Sequence, residues 1–389
     1  MGQSFTTDTP MRLSPALWSA PDAYLSQVRP DHPVLFFSPA ILQETARRFQ
    51  RGFPGLVTYA VKANDDDAVI ENLVAAGLGA FDVASPFEME KVRRLHPGAV
   101  LHYNNPVRSR AEIRTALRHG IASWSIDDPA ELEKLLEAGL PQDSEIAVRL
   151  RLPVEGAAYD FGAKFGADPD LAAHLLARVA DAGFRPAMTF HPGTQCADPA
   201  AWKAYIDVCA SVAKTADVRL TRLNVGGGFA AHRTGDAPNL EAIFAGISTA
   251  VDTAFGTERP DLVCEPGRAM VAEAFALATR VKGIRPDGSL FLNDGIYGGL
   301  AEAPILGNVD RIEVLSAQGP RLAPPTPRVV FGPTCDSLDR LPGDVPLPGD
   351  IASEDYVIFR GMGAYSTATV TRFNGYGAID VVTTVALDQ

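Results

Sequence analysis

The chain has 389 residues, 46% hydrophobic and 21% charged, the balance of a folded protein with a sizeable core. Its formal net charge of −12 would repel a phosphate backbone, so no nucleic-acid partner is expected. No long unbroken apolar run appears, and "MGQSFTTDTPMRLSP" lacks the apolar core of a signal peptide, so neither a membrane span nor export is expected.

Gly2 and Thr6 fit the bare spacing of a myristoylation signal, a pattern too short to carry weight. Cys196, Cys209, Cys264 and Cys335 form no CxxC pair. Their spacing suits neither a zinc ribbon nor a disulfide scaffold, so no metal is expected and a reducing cytoplasm is the expected setting.

In chain order, "PVLFFSP" (33–39) comes first and packs with one domain or the other. β-branched or aromatic runs then alternate with segments of helical spacing. The runs are "LVTYAVKA" (56–63), "FDVAS" (81–85), "AVLHYNN" (99–105), "SWSID" (123–127), "EIAVRLRL" (145–152), "PAMTFHPG" (186–193), "RLTRLNVGGGF" (219–229) and "DLVCEPGR" (261–268). Helical patterns such as "PFEMEKVRRLHP" and "DPAELEKLLEAG" lie between them, several closed by glycine. Eight such units predict an α/β fold of TIM type, a (β/α)8 barrel, rather than a doubly wound sheet. Past residue 270, "RIEVLSA", "RVVFGP", "DYVIFRGMGAY" and "GAIDVVTTVALD" alternate without long helices, which predicts an all-β domain. The expected division is 34–275 for the barrel, with 1–33 and 276–389 forming the β domain.

Reactive groups in a barrel gather at the C-terminal ends of the strands. Here those ends carry Lys62, Asp82, Asn104 and Asn105, Asp127, Arg149, His191, the run Gly226 to Gly228, and Glu265 with Arg268. Each has a plain structural reading. Asp127 reads as a neighbour of a helix N-cap, the asparagines as turn residues, Asp82 as the partner of a cation, and Lys62 as a snorkelling side chain. Together they suggest chemistry. "GGGF" exposes backbone N–H groups suited to a phosphate, and "EPGR" adds Arg268 from the next loop, the two places where barrels hold phosphate. A lysine, a phosphate cradle and Glu265 match the needs of pyridoxal 5'-phosphate: an amine for its aldehyde, an anion site, and a carboxylate for its ring nitrogen. His191 is placed to lie against the ring.

Seven motifs in order, "YAVKAN", "FDVAS…E", "FHPGTQC", "NVGGGF", "CEPGR", "GPTCDSLD" and "GAYS…FNGY", resemble the fold-type III pyridoxal-phosphate decarboxylases of basic amino acids. This is the ornithine, diaminopimelate and arginine decarboxylase family, and the pattern is most similar to its ornithine branch. The resemblance implies that Lys62 binds the aldehyde, His191 stacks on the ring and Glu265 meets the ring nitrogen. It implies that Thr194, Gly227, Gly228, Arg268 and Tyr365 hold the phosphate, with Asp82, Glu88 and Arg149 supporting. It further implies a homodimer with shared active sites. Cys335 would guide protonation in the partner's site, Asp336 would grip the substrate's distal amine, and Phe373 and Asn374 would sit beside the pocket.

Asp336 stands where diaminopimelate decarboxylases carry Glu, which favours a simple basic amino acid. "NDGIYGGLAEAPILGNVDR" departs from the ornithine branch by lacking its second acid near Leu306 and Gly307, and Glu302 or Asp310 are the expected substitutes. The implied order of substrates is L-ornithine (giving putrescine, in polyamine biosynthesis), then L-lysine, then another diamino or carboxylated polyamine substrate. Two other classes share the scaffold: inactive regulators similar to antizyme inhibitors, and racemases. Lys62, Glu265 and Cys335 argue against the first, and "GPTCDSLD" offers no tyrosine base for the second.

Overall fold

The computed structural model describes residues 17–152 and 164–388, so the spacing at Gly2 and Thr6 lies outside the described residues. Strand β1 (Val34–Phe37) opens the described fold's strand order. It is followed by β2 (Leu56–Val57), β3 (Tyr59–Ala60), β4 (Ala80–Val83), β5 (Val100–Tyr103) and β6 (Ile121–Ile126). Next come β7 (Glu145–Arg149), β8 (Arg185–Thr189), β9 (Arg222–Asn224), β10 (Asp261–Cys264) and the long β11 (Phe275–Ile284).

Strands β3 to β10 pair in parallel in chain order. β3 pairs with β4, and β2 pairs with β10, so segment 56–60 joins both ends of the sheet and closes the barrel. Between β2 and β3, Thr58 donates its N–H and hydroxyl to the Cys264 carbonyl, at 2.9 and 3.1 Å. The helices between strands start where the sequence supplies caps. Ser109 and Glu112 form a reciprocal capping box on Arg110–Arg118, and Asp128, Asp168 and Asn239 cap three others. No helix among the described residues is long and apolar enough to cross a membrane.

Barrel strands send apolar residues outward and polar ones inward, the period-2 alternation of a strand. Leu101, Tyr103, Trp124 and Ile126 join the main core, whereas Asp82, His102, Ser123 and Glu145 are register partners on the inner face, and all are buried. Burial, reinforced by Arg222, pulls the His102 imidazole down to about 3, so it remains neutral.

The expected boundary at residue 34 is corrected by strand pairing. β1 lies in the β-domain sheet, antiparallel to β11 and parallel to Asp380–Thr383, and the sheet begins at Phe275 rather than after it. The reason is two-sided burial. Leu35 and Phe37 enter the main core, with Phe37 stacked on Phe275 at 4.6 Å, while Val34 and Phe36 enter a second core under Leu25 and Tyr24.

Candidate active site

β3 leads into a single helical turn, Val61–Ala63, whose two outer residues are fully buried while Lys62 faces the barrel mouth. Lys62 lies deep among protein atoms yet is open to a cavity of about 260 Å³, lined also by Asp82, Asn104, Arg149, His191 and Glu265. A second, smaller cavity shares Lys62, His191 and Glu265 and reaches Thr194, Gly227, Gly228, Arg268 and Tyr365. Burial disfavours the Lys62 ammonium, but interaction with Tyr365, Asp82 and Glu265 outweighs it, and the amine's pKa is raised. The sequence-predicted cofactor residues on the barrel therefore converge on one mouth.

Glu265 follows β10, and its Oε1 accepts from Asn224 Nδ2 at 2.7 Å and Asn104 Nδ2 at 3.3 Å. Burial first, then Asp82 beside it, push its pKa well above the carboxylate range, which favours its protonated form. Asp82 is raised by burial too, opposed by Lys62, and its Oδ1 is buried with no partner among the described residues. Such a pair suits a basic ring nitrogen, which would take the proton and convert two buried acids into partners of a cation. His191 Nδ1 accepts from Gly193 N at 3.2 Å, and burial with the charges of Lys62 and Arg149 keeps the ring well below its usual pKa. It is a neutral, flat face.

The glycine run is required sterically. Gly226 and Gly228 have φ of +72° and +84°, and a Cβ on Gly227 or Gly228 would lie 2.8 Å from the Glu265 carbonyl or 2.5 Å from that of Gly193. From the β domain, Tyr365 arrives with φ of +63°, its N–H donating to the Ala63 carbonyl at 2.8 Å. A tyrosine in that region carries strain on the order of 1–3 kcal/mol. Asn64 Nδ2 anchors the same loop through Gly363 O at 2.9 Å. The Arg268 guanidinium lies 5.0 Å from the Tyr365 ring, and its Nε is buried with no protein partner among the described residues. A glycine cradle that excludes side chains and a buried donor edge fit a phosphate, so the residues present match pyridoxal phosphate.

Other expectations resolve differently. Glu88 supports the rim through backbone: its Oε2 accepts from Ala84 N at 2.6 Å, and burial raises its pKa to about 7. Asp127 stands beside the helix cap Asp128 as expected, and also accepts from Gly166 N at 2.7 Å. Glu302, expected as a substitute distal-amine acid, has its carboxylate bound by both terminal nitrogens of Arg268. Asp310 accepts from Gly235 N at 2.8 Å and is tied to that loop.

Neither cavity lined by Lys62 includes Cys335, Asp336 or Phe373. Cys335 is exposed, and its N–H and thiol both reach Asn374 Oδ1, at 3.0 and 3.1 Å. Asp336 accepts from the Tyr297 hydroxyl at 2.5 Å and from Leu338 N at 2.9 Å, which lower its pKa and keep it ionised. Tyr297 also packs on Phe373 at 5.1 Å. Sequence reasoning passed over Asp339, whose buried carboxylate accepts from Ile296 N, Thr334 N and the Thr334 hydroxyl and so shapes the turn. It also passed over Asn224, whose signal was an amide two residues before the glycine run.

Residues 40–272 match the family model described as "Pyridoxal-dependent decarboxylase, pyridoxal binding domain". A lysine/ornithine decarboxylase of Selenomonas ruminantium is 31% identical over 356 residues, covering 88% of this chain and 87% of that protein. Among solved structures, the arginine decarboxylase of Paramecium bursaria Chlorella virus bound to agmatine superposes with a TM-score of 0.81 at 26% identity, covering 90% and 97% of the two chains. A lysine/ornithine decarboxylase of Vibrio vulnificus complexed with cadaverine gives 0.79 at 28% identity, covering 94% and 97%.

Proposed function

The chain belongs to the pyridoxal-dependent decarboxylase family, and from that premise we propose that it converts L-ornithine to putrescine and carbon dioxide. Its cofactor is pyridoxal 5'-phosphate and its substrates are basic amino acids. The observation that carries ornithine is Asp336. It is an ionised carboxylate fixed by Tyr297 and Leu338 on the loop beside Cys335, while Glu302 and Asp310 are engaged elsewhere. One fixed anion suits one distal ammonium and gives no cationic partner for a second amino-acid headgroup. L-lysine is second in order.

When bound, the cofactor supplies an electron sink for the pair left behind as carbon dioxide departs. Lys62 would hold its aldehyde carbon, Glu265 would provide the proton at the ring nitrogen with Asp82 behind it, and His191 would cover one face. Gly227, Gly228, Thr194, Arg268 and Tyr365 would hold the phosphate. Arg149, between Asp82, Asp127 and Glu265, balances the buried acids. The Cys335 thiol would deliver a proton to the substrate's α-carbon, and Asp336 would hold the distal ammonium.

Both act from a second copy of the chain in this reading. The turn bearing them is exposed and shares no cavity with Lys62, and Leu338 and Phe373 beside it are exposed apolar residues, 71% and 43%, suited to cover in a homodimer. All four cysteines are free thiols, which supports the cytoplasm as the setting.

The test is carbon dioxide release from L-ornithine, L-lysine, L-arginine, meso-diaminopimelate and L-leucine. The highest kcat/KM is expected for ornithine. A higher value for lysine would replace ornithine as the substrate, and a preference for leucine would end the diamine reading.

A further inference from the structure

Arg268 has a side chain only 10% exposed, and both of its terminal nitrogens go to Glu302: Nη1 to Oε2 at 2.5 Å and Nη2 to Oε1. A guanidinium carries five N–H groups in a fixed plane, so end-on pairing with a carboxylate leaves the Nε edge available. In Arg268 that Nε is buried and has no protein partner among the described residues. The residue lines the smaller cavity beside Thr194, Gly227 and Gly228. Behind the pair, Arg233 places Nη1 3.9 Å from the same Glu302 oxygen and donates from Nη2 to Gly307 O at 2.8 Å. Glu302 thus sits between two buried cations that would otherwise repel each other across the phosphate end of the site.

We infer that Glu302 is a positioning residue for the cofactor's phosphate, taking the terminal fork of Arg268 so that the Nε edge faces the glycine cradle. The inference rests on the cofactor reading above. It predicts a role confined to one end of the ligand. Without the carboxylate, the guanidinium is free to rotate and is pushed by Arg233, so its donors lose alignment with the cradle. The carboxylate is held by Arg268, with Arg233 beside it, so its effect is on holding the cofactor rather than on choosing the amino acid.

The full-length protein, freed of cofactor, would be titrated with pyridoxal phosphate and with pyridoxal, which lacks the phosphate. Glu302→Gln keeps the side chain's size and removes its charge. Affinity for pyridoxal phosphate should fall about tenfold or more, the effect of misaligning one charge-assisted hydrogen bond, while affinity for pyridoxal stays unchanged. Glu302→Asp, which keeps the charge but is shorter, should fall in between; it carries the same comparison if the glutamine variant does not fold. Unchanged or tighter binding of pyridoxal phosphate would overturn the inference. So would an equal loss for both ligands, which would make Glu302 a general structural residue. Failure of the unaltered protein to bind pyridoxal phosphate would instead overturn the cofactor reading itself.

Discussion

At the barrel mouth, the buried Asp82, Asn104 and Asn224 surround Glu265, and each owes its position to a different strand. In the turn from Gly332 to Asp339 the polar groups are paired instead, within the turn and with the segments around Tyr297 and Asn374. Asp339 accepts from Thr334 and Ile296, and a Cβ on Gly332 or Gly295 would lie 2.2 or 2.1 Å from its Oδ1. The first region stores strongly shifted titrations and unpartnered polar atoms, which is the state of a site built for a ligand. The second pairs its polar groups and leaves Cys335 and Leu338 exposed. The contrast separates a mouth with shifted and unpartnered groups from a turn whose groups are paired and face outward, which is the division the proposed function assigns to cofactor and substrate.

Lys62→Ala tests that division most severely. Turnover should drop by roughly a thousandfold or more, since the group that holds the cofactor is gone. Mixing it with an inactive Cys335→Ala chain should restore activity, because some mixed dimers carry one intact site. No recovery after verified subunit exchange would place both residues in one chain's site.

Asp339→Ala should collapse the outward turn and spare the mouth. Two backbone donors lose their acceptor, at about 1–3 kcal/mol each. The expected outcome is a much lower kcat, with the absorbance of the bound cofactor unchanged. A parallel loss of cofactor would show that the two regions are not separable.

Asp336→Asn removes only charge from the same turn. It should lower kcat/KM for the basic amino acid by about tenfold to a hundredfold, the worth of one hydrogen bond to a charged group. Substrate affinity that stays intact would remove Asp336 from the distal amine.

The smallest effect is on stability. Burial raises Asp294 to about 6 against its donors Gly299 N and Gly295 N, with Asp339 adding to the shift. Its folded pKa exceeds the unfolded value, so the native state loses stability as pH rises through that range. Between pH 5 and 7 the unaltered protein should lose about 1 kcal/mol more than Asp294→Asn, read from urea midpoints. Parallel midpoints across that range would show that Asp294 does not titrate there.

Much of this was legible in the chain. Alternating strand and helix periods located the barrel units, Asp127 was placed beside a helix cap, and the strand-end residues Lys62, Asp82, Arg149, His191 and Glu265 could be chosen because a barrel brings strand ends together. Local chemistry read less well where its partner is distant. β1 is apolar on both faces, so its pattern could not say which sheet it joins; pairing with Phe275–Ile284 and Asp380–Thr383 decided that. Glu302 looked like a spare acid near a missing one, and only the fold brought it to Arg268.

The sequence by itself determined the period of the elements, their caps and the set of reactive groups at the strand ends, because each depends on neighbours a few residues away. Tertiary structure decided that burial pushes the acids at the mouth toward protonation, which edge of Arg268 is left open, and that Cys335 and Asp336 lie outside the cavities of Lys62. Those outcomes depend on burial and on charges many residues away along the chain, and folding alone sets both.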